Sequence, residues 1–363
     1  MLNRYIKIID WYIIKKYLGT YVFTMAIFTV IIVIFDISEK LDDFLKYKAP
    51  VSKIIFEYYA GTIPFYLNML SPLINFIAVI FFTAKMADQT EIVPILSGGA
   101  SFKRFLYPYF VSSLILFIVV LIFNLFIIPR TNFIKNNFSN VYVNPKEINS
   151  KMDTHMQLDT NSYVYIQNFD NSLKTGYNFT LEKFNGDILK EKLVAERITW
   201  DSVKLNWKII NFTVRKIDGL KEHMISGLEK DTTLDMSPKD FEIYDNVFEA
   251  MSTLELNERI RKEKIRGGGT VVNMEIEKYK RFVNPFSVFI LTLMGVSLSS
   301  RKVRGGVGLP LGMGIFFSFI YILFIQFATM FSLKGGLPPL IAALIPNVIF
   351  GALSVYLLIK TPK

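Results

Sequence analysis

Residues 105–129 read FLYPYFVSSLILFIVVLIFNLFIIP, a stretch without one charged side chain. A helix of that length exceeds the roughly 30 Å of hydrocarbon in a bilayer. Five other segments are equally free of charge: Tyr17–Phe35, Tyr58–Ala84, Phe282–Ser300, Gly305–Leu333 and Gly335–Ile359. Inside lipid every backbone amide must be paired within its own segment, so all six are expected to be membrane-spanning helices. A buried soluble core could hold one such run but not six. Composition agrees, since 52% of the 363 residues are hydrophobic and only 20% charged, with 33 Phe and 18 Tyr, a balance too apolar for a soluble chain of this length.

The first run follows Arg4, Lys7, Lys15 and Lys16, and no small-residue cleavage site ends it, so it is expected to remain as an anchor rather than be removed as a signal peptide. Cysteine is absent, which excludes disulfide and thiol chemistry and fits any compartment. Basic residues gather at the N-terminus, after the second run (Lys85, Lys103, Arg104), after the fourth (Arg301, Lys302, Arg304) and at the C-terminus (Lys360, Lys363). These four places share one side of a six-span protein, and that side is expected to be cytoplasmic. The net charge of +10 is thus largely a topology signal, and nothing calls for nucleic acid.

Between the third and fourth runs the pattern changes. SYVYIQNF, GYNFTLEKF, LVAERITW, KLNWKIINFTVRKI and HMISGL alternate apolar with polar residues, and Asn185-Gly186-Asp187 and Asp218-Gly219 separate them as turns. Short alternating strands of this kind predict an antiparallel sandwich or open roll with one apolar face. Ser252-Thr-Leu-Glu255 reads as a capping box before a charged helix, which Gly267–Gly269 is expected to stop, and Pro285 is expected to bend the entry to the fourth run. The predicted fold is a membrane protein of mixed α+β class: transmembrane helices over 1–130, an antiparallel β domain over 131–250, and a linking helix with three more spans over 251–363.

No G-x-x-x-x-G-K-[ST] occurs, so the chain carries no P-loop of its own. His155 and His223 are isolated and no H-E-x-x-H appears, so no metal or catalytic residue is expected. The spans lack mid-depth charge, which argues against a proton pathway and an intramembrane hydrolase. Glycines of GGVGLPLGMG (305–314) read as close-packing positions. Lys40, Lys46, Lys48, Lys53, Arg130, Lys135, Lys280 and Arg281 fall at the outer ends of the spans. Such bases could hold lipid phosphates or merely decorate the interface, and Asp36, Glu39, Asp42 and Asp43 dilute them.

The inner loop TEIVPILSGGASFKRF (90–105) has more pattern than a simple connection needs. Thr90 or a neighbour can cap a short helix carrying Glu91 near its positive end, and Gly98-Gly99 permits a sharp stop. A short helix across that face could dock into another protein or rest on lipid, and the residues alone favour neither.

That loop resembles the coupling-helix segment of the LptF/LptG permease family. The similarity continues in order through IDWYIIKKYLGTYVF (9–23), DTNSYVYIQNF (159–169), NPFSVFILTLMGVSL (284–298) and GLPPLIAALIPNVIF (336–350). The last of these is more similar to the LptG branch than to LptF. The resemblance implies a β-jellyroll domain on the periplasmic side of a bacterial inner-membrane protein. It implies a paralogous LptF-like partner, a separate LptB-like ATPase dimer, LptC/LptA-like jellyroll acceptors, and lipopolysaccharide as cargo, with no cofactor and no catalysis by this chain. Extraction needs ATP because each buried methylene holds the lipid by about 0.8 kcal/mol. Carried over by position, the coupling segment of about 88–103 would contribute Glu91, Ile92, Ile95, Leu96, Gly98 and Phe102. Lys40 and Arg130 fall where the family places bases near lipid phosphates, and the headgroup set would be completed by Lys46, Lys135, Lys280 and Arg281. Two departures stand out: Pro94 lies inside the coupling helix, and acids interrupt the basic rim. An LptF-type role and a lipid-binding scaffold without an ATPase are the competing readings.

Overall fold

The computed structural model describes residues 7–143, 151–241, 247–266, 270–301 and 306–361; Arg4, Gly267–Gly269, Lys302, Arg304, Gly305 and Lys363, named above, lie outside them. The chain divides into two compact units: Met1–Asn144 with Phe248–Leu254 and Val272–Lys363, and Pro145–Val247 with Glu255–Val271.

The first unit is helical. Among the described residues, six helices or helix runs are long and apolar enough to cross a membrane: Ile8–Lys46, Ser71–Asp88, Phe102–Tyr142, Val271–Ser299, Gly308–Gly335 and Pro339–Lys360. In finer terms these are α1 (Ile8–Lys46), α4 (Ser71–Asp88), α6 (Phe102–Ile122) running through a π turn at Phe123–Ile127 into α7 (Ile128–Tyr142), α10 (Val271–Val283) running through a 3-10 turn at Asn284–Phe286 into α11 (Ser287–Ser299), then α12 (Gly308–Gly335) and α13 (Pro339–Lys360). The expected bend at Pro285 is that 3-10 turn.

The apolar run 58–84 is not one helix. After α2 (Val51–Lys53) and a π turn at Ile54–Tyr58, α3 (Tyr59–Met69) ends at Leu70 (φ −89°, ψ 1°), and α4 begins at Ser71. Pro72 is the cause, because its missing N–H and ring crowd the preceding turn and suit only the start of a helix. The third run, in contrast, continues helically past Pro129 to Tyr142.

α4 is the centre of this unit: 72% of its apolar window is buried, against 17% for α1 and 22% for α12. It packs on α1, α11 and α12. One core cluster joins Ile13, Tyr17, Ile74, Val79, Phe82, Phe105 and Tyr109, and a second joins Phe76, Ile80, Leu291, Met294, Tyr321 and Phe350. Gly314 is where the glycine-rich start of α12 makes its close approach, since a Cβ there would stand 2.5 Å from Ile80 Cδ1, whereas Gly308 and Gly312 face open space.

The second unit is a six-stranded antiparallel meander in sequence order, β1 (Lys151–Asp159), β2 (Ser162–Asp170), β3 (Thr175–Asn185), β4 (Ile188–Asp201), β5 (Asn206–Asp218) and β6 (Lys221–Thr232). Alternation puts Val164, Ile166, Phe179, Leu181, Leu193, Ala195, Ile198 and Trp207 on one buried face with Phe241. A crease crosses the sheet. All five ladders skip a position at one level, which runs through Asp153, Gln167, Asn178, Glu196 and Asn211. Asp153, Asn178 and Asn211 there have φ of 50°, 52° and 51°. Asp and Asn are the non-glycine residues that enter this left-handed region most readily. Their side chains close on the neighbouring strand: Tyr165 donates to Asp153 Oδ1 at 2.8 Å, Asn178 donates to Gln167, and Asn211 donates to Glu196.

α9 (Thr253–Arg266) begins directly after Ser252, and the short α8 (Val247–Ala250) precedes it.

Candidate functional site

The loop between α4 and α6 folds as α5 (Ile92–Ser97). Thr90 is left-handed at φ 58°, and Glu91 is the residue that opens the helix, without a side-chain cap. Pro94 costs the helix no hydrogen bond, because the first turn has N–H groups without intrahelical acceptors. Gly98 N–H donates to Pro94 O at 2.9 Å, and Gly99, at φ 88°, makes the stop. Only a residue without a Cβ takes that conformation at no cost. Ser101 then caps α6 by accepting the Arg104 N–H at 3.3 Å.

The structure divides the residues of the segment into two sets. Ile92 and Phe102 are buried in the core cluster with Met86, Ala87 and Phe105, and Ile95 and Leu96 pack half-buried against it. Val93, 63% exposed, with Pro94, Ser97, Gly98 and Gly99, forms the face turned outward. Glu91 is tied to α1: Tyr12 donates its hydroxyl to Oε2 at 2.8 Å, and Lys16 Nζ lies 3.5 Å from Oε1. Sequence reading passed over Val93 and Tyr12. A six-residue helix has less than two turns, so its own periodicity does not tell inside from outside.

At the opposite end of α1 the charges interleave. Lys40 is bonded to its neighbour Glu39 at 2.7 Å. Asp36 is buried, accepts the Tyr58 hydroxyl at 2.9 Å, and acts electrostatically on Lys40 and Lys135. Lys46 Nζ lies over the Tyr47 ring at 5.0 Å, and Lys135 Nζ over Phe65 at 4.3 Å. Arg130 is exposed. Lys135 and Lys280 both act on Glu249, whose carboxyl is pushed up to about 7, first by burial and then by the like charge of Glu277, against the pull of these two lysines and Arg281. Arg281 is turned wholly inward. It is 2% exposed, bonds Glu277 at 2.9 Å, and donates to the carbonyls of Met251 and Phe248 at 2.8 and 2.9 Å. The guanidinium therefore fastens the segment between α8 and α9 onto α10. These bases form a mixed-charge network, not a uniform basic ring.

The six apolar helices and the inserted sheet define a multi-pass membrane protein with a β domain in the middle of the chain. The chain matches the model of the family "Lipopolysaccharide export system permease LptF/LptG" over residues 11–360, nearly its whole length, and belongs to that family. It is a transmembrane subunit of lipopolysaccharide export in the inner membrane, in a permease family rather than a catalytic one. The match does not separate LptG from LptF. No curated protein matches the chain.

Proposed function

We infer that this chain couples a separate cytoplasmic ATPase to lipopolysaccharide extraction, in the LptG-type position beside an LptF-like paralogue. The observation that carries the reading is α5. It is anchored by Ile92, with Ile95 and Leu96 packed against the core and the buried Phe102 opening α6 just after it, and it offers a small outward face at Val93, Pro94, Ser97 and Gly98. Anchored on one side and bare on the other, a short helix can fill a groove and pass on force. The termini and α5 then lie in the cytoplasm, and the β domain in the periplasm, where it hands lipid to LptC/LptA-like acceptors. Of the bases at the far end, Lys40, Lys46, Arg130, Lys135 and Lys280 are proposed to meet lipid phosphates, and Arg281 is proposed to act through the fold.

The test is co-purification of the tagged chain with the candidate ATPase and paralogue. Wild type should retain the ATPase. Val93→Asp, which leaves Glu91 and its links to α1 in place, should lose it, and so should Glu91→Lys. The scaffold reading predicts no ATPase with any of the three.

A further inference from the structure

Asp10 lies in the first turn of α1 and Arg104 in the first turn of α6. Arg104 Nη1 and Nη2 donate to the two Asp10 carboxylate oxygens at 2.7 and 2.5 Å, the two-pronged geometry that makes the strongest ion pairs. Asp10 is 3% exposed and also accepts the Lys7 backbone N–H at 2.7 Å. Removing Arg104 would strand the buried Asp10 carboxylate, whereas the Arg104 side chain keeps 35% of its surface exposed. Arg104 is itself fixed, with its N–H on Ser101 and its guanidinium 5.1 Å from the centre of the Tyr107 ring.

Beside the pair is a cleft of about 130 Å³ lined by Ile9, Ile13, Ile95, Phe105 and Pro108. Ile13, Ile92, Phe102 and Phe105 share one core cluster with Ile95 packed against it, so the ion pair adds a directed polar link at the rim of that apolar contact between α1 and the α5–α6 corner. The other flank of α5 is tied to α1 through Glu91, Tyr12 and Lys16. Both flanks of α5 are thus fixed to residues 10–16 of one helix. That helix runs unbroken to Lys46, while its neighbours are interrupted at Ile54–Tyr58, Leu70 and Phe123–Ile127. A continuous helix passes displacement along its axis, and a π turn or a proline break absorbs it.

We propose that Asp10 and Arg104 are positioning residues that make α1 the lever of the exporter: movement imposed on α5 by the ATPase reaches Lys40 and the far end through this pair. The proposal rests on the ATPase-coupled reading above, and neither residue is assigned contact with ATPase or lipid.

The experiment uses the full complex in proteoliposomes. It measures ATP hydrolysis and, in parallel, lipopolysaccharide delivered to an acceptor jellyroll protein. Asp10→Asn and Arg104→Gln should each keep the ATPase bound and hydrolysing, with lipid delivered per ATP reduced about fivefold or more. The double variant should be no worse than either single one, because both remove the same link. A delivery-to-hydrolysis ratio unchanged in both single variants, or two losses that multiply in the double, overturns the proposal. Asp10→Glu, which keeps the charge, should restore most of the ratio if a single variant folds poorly; failure to do so counts against the pair. Absence of the ATPase from the wild-type complex would instead overturn the coupled-exporter reading, a distinct result.

Discussion

The Tyr17 hydroxyl donates to Asn75 Oδ1 at 2.6 Å and lies 2.7 Å from Thr292 Oγ1, so one phenol on α1 joins α4 and α11 at the centre of the helical unit. Asn75 is wholly buried, and its Nδ2 reaches Val288 O and Thr292 Oγ1, each at 3.2 Å. Tyr17→Phe keeps the stacked contact with Phe82 but leaves the Asn75 oxygen without its donor. The expected loss is about 1 kcal/mol, the usual scale for a hydrogen bond between helices in lipid or for a stranded buried acceptor. Thermal melting of the purified chain in detergent should show it. Asn75→Leu should cost more, because it removes three bonds and leaves the Tyr17 hydroxyl with Thr292 alone.

The crease in the β domain makes a second prediction. Asn178→Gly should leave stability within about 0.5 kcal/mol, because glycine enters the left-handed region freely. Asn178→Val should lose about 1–2 kcal/mol, because a β-branched residue resists it. Trp200 and Trp207 belong to the β domain and Trp11 does not, so tryptophan fluorescence during urea unfolding reads mainly this unit. Equal midpoints for the two variants would refute the role of backbone strain at the crease.

These two sites show what was legible from sequence. Tyr17 opens an uncharged run, and the run announces its helix, but nothing linear says that its hydroxyl meets residues 58 and 275 positions away. Five of the six strands were readable from alternation, and two of the hairpin turns from Asn185-Gly186-Asp187 and Asp218-Gly219. β1 was missed because its buried row is Thr154, Met156 and Leu158, which carries less of the β-branched and aromatic signal than the Val, Ile and Phe of its neighbours. Arg281 read as an interface base because two residues of one charge beside a span look alike in sequence. Only the fold shows Lys280 facing acids and Arg281 bonded to two carbonyls of a distant segment.

Glu249 sets a pH dependence whose sign follows from its environment. Its carboxyl rises from the ordinary 4.5 to about 7, chiefly through burial. Between those values the folded chain keeps a proton that the unfolded chain releases, so stability from this group is full below the lower value and declines as pH rises through the upper one. Glu249→Gln should melt higher than wild type at pH 8 and nearly level with it at pH 4. Parallel melting profiles for the two across that range would show that another group governs the window.

A close helix contact at Gly61 yields the last prediction. A Cβ on Gly61 would stand 2.5 Å from the Thr131 carbonyl oxygen and 2.6 Å from Lys135 Cβ, backbone and stem atoms that cannot swing away. α3 and α7 therefore approach through that glycine, and the same approach places Lys135 over Phe65. Gly61→Ala must push the helices apart, at about 1–3 kcal/mol by the cost of overpacking. It should also move Lys135 off Phe65 and away from Glu249. Melting in detergent measures the first effect. The second should show as a changed pH dependence of stability, because Lys135 opposes the rise in the Glu249 carboxyl. If the melting temperature falls with the pH profile unchanged, the helices have separated without displacing the lysine, and the charge network at that end is independent of this contact.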